Sequence, residues 1–306
     1  MDMLIDVFGW FWNNVTKPQD DKRIATLSLP EGIKEVCNIP YTDSGSEYHT
    51  LDVYYPENAK GPLPVIIEIH GGGWMYGTKD LNKIYAQYLA KRGFVVFNLS
   101  YRLVPEVFVP SQLQDVAMAV RKAKEIMQDF PCDTERIILT GDSAGGQLAA
   151  FTAAISESES LRSYFDTVDH GLHFNCLVLT SPVAYMNDSL PMGLYCRMMW
   201  GEKGNKKSTR RYMNIDELIR EVPSFPPTIL TTSSGDTLAL GQTRRLYRAL
   251  LENGIEAQLL DFPKFEGKHL PHVFSALEPY SKAGALCIDK VCEFINHNLS
   301  KEMRVR

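Results

Sequence analysis

A serine set between glycines is the first group in this sequence that could carry out chemistry. Residues 141–146 are Gly-Asp-Ser-Ala-Gly-Gly, with an apolar, β-rich run before them at 136–140 and a helix-forming run after them at 147–154. A Gly-x-Ser-x-Gly turn between a strand and a helix is typical of a nucleophile elbow, which projects the serine hydroxyl above the sheet. The motif alone also fits an ordinary tight turn. As an elbow, it predicts Ser143 as a nucleophile and the N–H of Ala144 directed at the reacting carbonyl.

A glycine run upstream offers backbone N–H groups to a developing oxyanion. Residues 70–74 are His-Gly-Gly-Gly-Trp, and they follow a second apolar run at 64–69. Glycines leave their N–H groups uncovered and their φ angles unrestricted, so such a loop can direct two amides at one oxygen. We predict Gly72, Gly73 and Ala144 as the donors. A phosphate-binding loop would need a Lys-Ser or Lys-Thr pair, so that interpretation is poor.

An acid and a base should follow the nucleophile in that order along the chain. Asp236 comes just after an apolar run at 227–232, where it would lie at the carboxyl end of a strand. Sites on open α/β sheets gather at those ends, and we therefore predict Asp236 as the acid. A turn or cap aspartate is the alternative interpretation, because Gly-Asp-Thr is ordinary turn sequence. Asp261, within the next predicted strand, is the second candidate.

The base is chosen from the histidines that follow Ser143: His170, His173, His269, His272 and His297. The first two precede the predicted acid, and the last lies near the end of the final predicted helix. His269 and His272 share the loop after the strand at 256–262. We prefer His272, which comes shortly before the last helix. Spacing alone barely separates the two, so His269 stays an alternative.

These motifs together resemble the hormone-sensitive-lipase-like branch of the α/β-hydrolases, which includes bacterial acetyl esterases and feruloyl and acetyl-xylan esterase-like proteins. Val104 and Val273 depart mildly from the usual Tyr-Arg-Leu-Ala-Pro-Glu and His-Gly-Phe of that branch, and neither changes a catalytic group. The resemblance covers roughly residues 50 to 298. The matching stretches are 70–74, 100–106, 114–116, 141–146, 236–238 and 272–274.

The resemblance implies an α/β-hydrolase fold and a serine carboxylesterase that hydrolyses short-chain esters, acetyl esters above all, without a metal or an organic cofactor. In that mechanism His272, oriented by Asp236, takes the proton of Ser143, and an acyl-enzyme forms and is hydrolysed. The expected partner is a small-molecule ester. A homodimer is a further option, because related enzymes sometimes dimerise through an edge strand.

The segments that must position these residues alternate between strand and helix, which predicts an α/β fold with a mainly parallel sheet and helices on both faces. The expected strands are 51–55, 64–69, 94–99, 136–140, 176–181, 227–232 and 256–262. The expected helices are 80–92, 111–129, 143–156, 241–253 and 280–298.

Two segments outside this alternation are expected to cover the site. Residues 1–35 form a small N-terminal cap, and 36–306 form the hydrolase domain with a lid-like insertion at 185–222. The aromatic cluster within 8–12 is expected to pack over the site rather than to bind a membrane, which would favour basic residues on its polar face. The substrate-pocket candidates are Trp74, Met198, Met199 and Trp200. The alternative interpretation of the insertion is a stripe of apolar residues that faces the core and does not line the pocket.

Composition narrows the remaining function classes. A net charge of −5 over 306 residues argues against a nucleic-acid partner. The six cysteines form no Cys-x-x-Cys pair, so zinc and redox sites are not expected. Reduced thiols fit a cytoplasmic location. The first twelve residues lack a basic region and a long apolar core, so we expect neither a signal peptide nor stable membrane insertion.

Three other functions remain open. An amide-cleaving hydrolase, either an exopeptidase or an arylformamidase, would use the same scaffold. A catalytically silent ligand-binding protein is the second, although the intact set of nucleophile, acid and base argues against it. The third is a membrane-associated lipase for long acyl chains, with the aromatic N-terminus as its anchor.

Overall fold

One mixed β-sheet forms the centre of the protein. The computed structural model describes residues 2–186, 192–201 and 210–305. The strands are β1 (Ile33–Pro40), β2 (Thr50–Pro56), β3 (Leu63–Ile69), β4 (Val95–Leu99), β5 (Cys132–Asp142), β6 (Cys176–Thr180), β7 (Thr228–Ser233) and β8 (Ala257–Phe262). Their order across the sheet is β1-β2-β4-β3-β5-β6-β7-β8. β2 is antiparallel to both its neighbours, whereas the pairs from β4 to β8 are parallel.

Helices lie on both faces of this sheet, and a π-helical turn at Trp12–Thr16 joins the first two of them. The helices are α1 (Asp2–Phe11), α2 (Lys17–Ala25), α3 (Lys83–Ala90), α4 (Val109–Ile126), α5 (Ser143–Ser156), α6 (Glu159–Phe165), α7 (Met192–Met199), α8 (Ile215–Glu221), α9 (Leu240–Glu252), α10 (Phe274–Leu277) and α11 (Lys282–Val305). Short 3₁₀ turns lie at Lys79–Asn82, Met127–Asp129 and Arg210–Met213.

The central strands are mainly apolar because both of their faces are buried. Along β3, Val65 and Ile67 pack in the hydrophobic core beneath α4 and α5, whereas Ile66 packs in the core on the opposite face, beneath α3 and α11. A strand covered on both faces shows a continuous hydrophobic run instead of an alternating pattern. These runs predicted the strands, and the predicted α/β-hydrolase fold is confirmed.

One strand escaped the sequence prediction. β1 is an edge strand whose residues are mostly exposed, and it pairs antiparallel with β2 alone. It therefore carries no apolar run by which a pattern could find it. The expected boundary between residues 35 and 36 falls inside β1, so the sheet begins before the predicted start of the hydrolase domain.

The parallel strands bring distant parts of the chain to one edge of the sheet. β3 ends before the glycine run at 70–74, β5 ends at the serine motif, and β7 ends shortly before Asp236. Because the carboxyl ends of parallel strands share an edge, these three segments become neighbours in space. α1, α2 and α7 lie outside the strand–helix alternation. Residues 187–191 and 202–209 of the predicted insertion lie outside the described residues.

Candidate active site

Ser143 occupies a strained turn between β5 and α5. Its φ angle of 51° is in the left-handed region, which residues other than glycine seldom adopt. The flanking glycines permit the turn, because a Cβ at Gly141 would lie 2.4 Å from the carbonyl oxygen of Gly145. A Cβ at Gly145 would lie 2.1 Å from the carbonyl oxygen of Ile69 at the end of β3. Strain of this kind persists where the surroundings enforce it, and here it turns the serine out of the strand.

A continuous line of hydrogen bonds runs from Ser143 to Asp236. The Nε2 atom of His272 lies 2.9 Å from the Oγ atom of Ser143. The Nδ1 atom of the same ring lies 2.9 Å from Oδ1 of Asp236. A carboxylate can only accept, so Nδ1 of a neutral ring carries the proton and Nε2 is left to accept the serine proton. The structure thus brings together the three residues that the sequence selected as nucleophile, acid and base.

The Asp236 carboxylate is fully buried and held by several donors. Its Oδ1 accepts hydrogen bonds from the backbone N–H groups of Leu238 and Ala239, at 3.1 and 2.8 Å. The hydroxyl of Thr232 donates to Oδ2 over 3.2 Å. Burial acts to raise the pKa of Asp236, but the interactions with His272 and the Ala239 N–H outweigh it and lower the pKa below its usual value. Asp236 is therefore ionised at neutral pH and can stabilise a positive charge on the imidazole.

The peptide groups around the site are fixed through their carbonyl oxygens. The Gly72 carbonyl accepts from the N–H groups of Met75 and Tyr76, at 3.2 and 3.0 Å, and the Ser143 carbonyl accepts from Val183 N–H over 3.1 Å. The N–H of a trans peptide points opposite to its carbonyl. The N–H groups of the same two peptides, those of Gly73 and Ala144, therefore point away from these hydrogen-bond donors.

His70 fixes the remaining peptide of the predicted oxyanion loop. Its Nδ1 atom lies 2.6 Å from the carbonyl oxygen of Gly71, which belongs to the same peptide group as the N–H of Gly72. The ring is fully buried and stacks on Tyr101 with a centroid separation of 4.4 Å. Burial lowers the pKa of His70 to about 4, so the ring is neutral at physiological pH. His70 therefore orders the loop, and it is His272 that contacts the serine.

A buried network of acids ties the glycine loop to the serine turn. Asp142 Oδ1 accepts from the N–H of Gly71 over 2.8 Å and from the Asn82 amide over 2.6 Å. The same amide nitrogen lies 2.6 Å from Oε1 of Glu68. Burial and the nearby Asp142 raise the pKa of Glu68 well above its usual value. Burial also raises the pKa of Asp142. Sequence reasoning missed this network, because Glu68 looks like an ordinary residue within a strand.

The second candidates for acid and base lie apart from this line. Asp261 forms an ion pair with Arg244, at 2.7 Å. His269 is exposed, and its Nδ1 atom lies 3.0 Å from the hydroxyl of Ser234. Neither of these side-chain contacts involves Ser143. The geometry favours Asp236 and His272 over these two.

The predicted pocket residues are mostly in the hydrophobic core. Met198, Met199 and Trp200 are at most 3% exposed and belong to the main core cluster. The indole of Trp200 packs against Phe151 and donates to the sulfur of Met186. This placement matches the core-facing stripe that was the alternative for the insertion.

Trp74 is different, because it lies next to the glycine loop. Its indole is buried and donates to Oε1 of Gln147 on α5 over 3.0 Å. Two aromatic residues that were not among the pocket candidates, Trp12 and Tyr195, also contact the loop backbone. Trp12 belongs to the cluster within 8–12 that was expected to pack over the site. A Cβ at Gly73 would lie 2.5 Å from the Trp12 ring and 2.8 Å from the Tyr195 hydroxyl oxygen. The only sequence signal for them is the density of aromatic residues in both segments.

The described residues hold neither a metal-binding cluster nor a helix that could span a membrane. Within residues 2–186, 192–201 and 210–305, no group of three or more His, Cys, Asp or Glu residues is arranged to hold a metal ion. Across the same ranges, no helix has the length and apolar character needed to cross a membrane.

Several known proteins are similar to this chain in sequence. The BD-FAE family model matches residues 51–191. A probable isoprenylcysteine alpha-carbonyl methylesterase of Arabidopsis thaliana is 32% identical over 233 residues, covering 71% of this chain and 47% of that protein. A carboxylesterase of Mycobacterium tuberculosis is 34% identical over 105 residues, covering 34% of this chain and 33% of its own length. The chain spans about half the length of the first curated relatives it matches.

Solved structures resemble the whole chain. Esterase B of Lactobacillus rhamnosis superposes with a TM-score of 0.93 and 26% identity, covering 100% of this chain and 98% of that one. An esterase of the bacterial hormone-sensitive lipase family has the same fold, with a TM-score of 0.69 and 20% identity over 91% of this chain and 89% of its own. The fold is that of the α/β-hydrolase esterases, and the sequence is similar to those of carboxylic ester hydrolases.

Proposed function

We propose that this protein is a serine carboxylesterase that hydrolyses short-chain esters through an acyl-enzyme. The observation that carries the proposal is the line of hydrogen bonds from Ser143 through His272 to Asp236, with 2.9 Å at each step. A serine, an imidazole and a buried carboxylate in this order can generate a nucleophile at neutral pH without a metal. The anchored peptides beside the serine support an oxyanion site at the same place.

Acylation begins when the Ser143 oxygen attacks the ester carbonyl. His272 Nε2 takes the hydroxyl proton as the new C–O bond forms, and the imidazolium is stabilised by Asp236. The N–H groups of Gly72, Gly73 and Ala144 are assigned to the oxyanion of the tetrahedral intermediate. His272 then donates its proton to the leaving alcohol, and the acyl group stays on the serine.

Deacylation repeats these steps with water as the nucleophile. His272, neutral again, takes a proton from a water molecule that attacks the acyl-enzyme carbonyl. The same three N–H groups hold the second oxyanion, and collapse of the intermediate returns the proton from His272 to Ser143. Fixed donors suit both half-reactions, because they need no rearrangement as charge develops.

A similar protein supports the proposed preference for short acyl chains, whereas the choice of acetyl esters rests on the resemblance of the sequence motifs. Esterase B was solved with a C4-C4 tributyrin phosphonate, which places a short acyl analogue in a closely similar fold. The Arabidopsis relative is named a probable isoprenylcysteine alpha-carbonyl methylesterase, and in such an ester the acyl part is the isoprenylcysteine and the small group is the methanol that is released. What these proteins share is hydrolysis of an ester bond. We propose that reaction for this protein, with a small-molecule ester as its substrate.

A panel of p-nitrophenyl esters from acetate to palmitate tests the proposal. We expect hydrolysis to be fastest with acyl chains of a few carbons and to be lost in Ser143→Ala and His272→Ala. His269→Ala is the matched control, because it removes a histidine from the same loop without touching Ser143, and it should retain activity. Loss of activity in His269→Ala with retention in His272→Ala would overturn the assignment of the base.

Matched ester and amide substrates separate this proposal from an amide-cleaving hydrolase. Faster turnover of an anilide or peptide than of the corresponding ester would favour the exopeptidase or arylformamidase alternative. A protein that hydrolyses neither and fails to react with a fluorophosphonate at Ser143 would be a ligand-binding protein instead.

One observation favours a second candidate function, action on esters at a lipid surface. α1 exposes a row of apolar side chains, of which Met3 is 76% and Trp10 62% exposed, with Leu4, Val7 and Phe11 beside them. Its Asp6 is also exposed, which weakens attraction to anionic lipid. Flotation with neutral and anionic liposomes, together with the ester panel, tests this. Co-flotation and a palmitate optimum would favour the lipase, whereas we expect neither.

A cytoplasmic location is part of the same proposal. Cys37, Cys132, Cys287 and Cys292 are thiols, which suits a reducing compartment. Burial raises the pKa of Cys132 and Cys287 to about 12, so those thiols are protonated and unreactive at neutral pH. The homodimer stays a prediction.

A further inference from the structure

Three segments distant in sequence meet at Gly73 of the glycine loop. Tyr195 on α7 lies with its hydroxyl oxygen 2.7 Å from the Gly73 carbonyl oxygen, to which it donates. The indole Nε1 of Trp12, in the π-helical turn after α1, donates to the same hydroxyl oxygen over 3.3 Å. One hydroxyl therefore links the N-terminal segment, the insertion helix and the predicted oxyanion loop.

The Tyr195 hydroxyl is suited to this position by its protonation and its packing. Burial raises the pKa of Tyr195 above its usual value, so the hydroxyl keeps its proton and donates. The ring meets Phe8 of α1 edge-on, with centroids 4.8 Å apart, and lies 6.1 Å from the Trp74 ring. Trp12 stacks on Tyr76 at 5.5 Å and 14°. The contacts with Phe8 and Trp74 hold the Tyr195 ring in place, and the contact with Tyr76 holds the indole of Trp12 that donates to the Tyr195 hydroxyl.

Gly73 needs an outside partner more than its neighbours in the loop do. The carbonyl of Gly72 is held by the nearby Met75 and Tyr76. The carbonyl of Gly71 is held by the adjacent His70 at 2.6 Å, with the Tyr101 hydroxyl further away at 3.5 Å. The carbonyl of Gly73 is held by Tyr195, which is 122 positions further along. Gly73 has a φ of 59°, and a glycine rotates about its backbone bonds with little steric resistance.

We propose that Tyr195 is a positioning residue for ester hydrolysis, and that Trp12 acts through it. The Tyr195 hydroxyl holds the Gly73 carbonyl, which belongs to the peptide after Gly73, and so restricts rotation about the backbone bonds of that residue. Together with the hydrogen bonds to the Gly72 carbonyl on the other side, this restriction keeps the Gly73 N–H directed at the oxyanion. The Trp12 N–H restricts the hydroxyl in turn. The inference rests on the proposed function, because an oxyanion must form at Gly73 for this restriction to affect a rate. It gives the N-terminal segment a part in catalysis as well as in covering the site.

Tyr195→Phe removes the hydroxyl and keeps the ring, so it tests the hydrogen bond itself. We expect kcat for p-nitrophenyl acetate to fall roughly 3-fold to 10-fold, the size of one neutral hydrogen bond, with KM nearly unchanged. The affinity for a trifluoromethyl ketone, which forms the oxyanion on the enzyme, should fall by a similar factor. A residue needed only for folding would lower the melting temperature without this kcat-specific loss.

Tyr212→Phe is the matched control, because it removes another tyrosine hydroxyl from the region after α7. That hydroxyl donates to Glu221 over 2.9 Å, in a contact that involves neither the glycine loop nor Ser143. Its kcat and ketone affinity should equal those of the wild type. If Tyr195→Phe behaves like Tyr212→Phe, or raises KM alone, the positioning role is wrong.

Trp12→Phe separates direct action from action through Tyr195. It removes the indole donor and keeps an aromatic ring, and we expect a smaller loss of kcat than in Tyr195→Phe. The double variant should match Tyr195→Phe alone, because the Trp12 N–H has no hydroxyl left to restrict. Additive losses would contradict the coupling.

The result for the wild type distinguishes this inference from the proposed function. An enzyme whose hydrolysis depends on Ser143 but not on Tyr195 would overturn the positioning role and leave the esterase intact. A wild-type protein that hydrolyses no ester would overturn both.

Discussion

The site is built from two regions held together in different ways. At the sheet edge, the serine turn and the glycine loop are joined by buried hydrogen bonds among Glu68, Asn82 and Asp142. Over that edge, α1, the π-helical turn and α7 are joined mainly by aromatic rings, and α1 leaves much of its apolar surface exposed. The first region is rigid because unpaired polar groups in its interior would be costly. The second region has fewer buried hydrogen bonds. This suits a region that positions the glycine loop while Ser143 carries out the proposed reaction.

The largest expected effect comes from breaking the hydrogen-bonded line at its buried end. Asp236→Asn keeps the volume of the side chain but removes the charge and the fixed acceptor for His272 Nδ1. We expect kcat for p-nitrophenyl acetate to fall on the order of 10⁴-fold, because the imidazole would favour the wrong tautomer. Steady-state kinetics with the isolated variant provide the measurement. A loss under about 10-fold would mean that Asp236 is not the acid.

Steric pressure on the sheet edge should give the next largest effect, on stability. In Gly145→Ala the new Cβ would lie 2.1 Å from the backbone oxygen of Ile69, so two elements of the rigid region must separate. We expect a loss of about 2–3 kcal/mol and a melting temperature lower by roughly 5–10 °C. Gly61→Ala is the control, since its Cβ meets nothing within 4 Å. Equal melting temperatures for the two variants would show that the edge is not tightly packed.

The buried carboxyl groups in the same region should make the stability of the protein depend on pH. Burial and Asp142 raise the folded-state pKa of Glu68 above the unfolded value, which lies near 4.5. The folded protein then binds more protons than the unfolded chain above that pH, so this group lowers stability as the pH rises toward its folded pKa.

Glu68→Gln removes that dependence. We expect its melting temperature, relative to the wild type, to increase between pH 5 and pH 9. Glu47→Gln, at an exposed carboxylate, should run parallel to the wild type. A constant difference between Glu68→Gln and the wild type at all pH values would show that Glu68 is ionised in the folded protein.

The smallest effect is expected at the second acid candidate. Asp261→Asn breaks an ion pair with Arg244, whose side chain is 51% exposed, and such surface pairs contribute roughly 0–1 kcal/mol. Activity should stay within about 2-fold of the wild type in the ester assay. A loss of activity comparable to that of Asp236→Asn would show that Asp261, on β8, is the acid instead of Asp236.

The two regions also differ in how well the sequence predicts them. Gly145 and Ser143 were identifiable because the elbow is a local turn, and its residue types follow from backbone geometry within a few positions. β3 and β5 were identifiable because burial on both faces gives each of them a run of consecutive apolar residues. β1 lacks such a run, since it is an exposed edge strand.

Contacts between distant segments set the limit of that prediction. His269 and His272 are three residues apart, and only the folded loop distinguishes the one at the surface from the one at Ser143. The meeting of Trp12 and Tyr195 at Gly73 depends on two segments folding over the sheet edge, and neither carries a motif. Trp200 was a pocket candidate by residue type, but it packs in the core.

Trapping of the acyl-enzyme tests the central claim most directly. The protein is mixed with p-nitrophenyl acetate, quenched in acid within the first turnovers and digested for mass spectrometry. The account predicts an acetyl group on the peptide that contains Ser143, at the serine itself, and none in Ser143→Ala or in His272→Ala quenched at the same time. Ester hydrolysis with no acetylated Ser143, or acetylation that persists in Ser143→Ala, would contradict it.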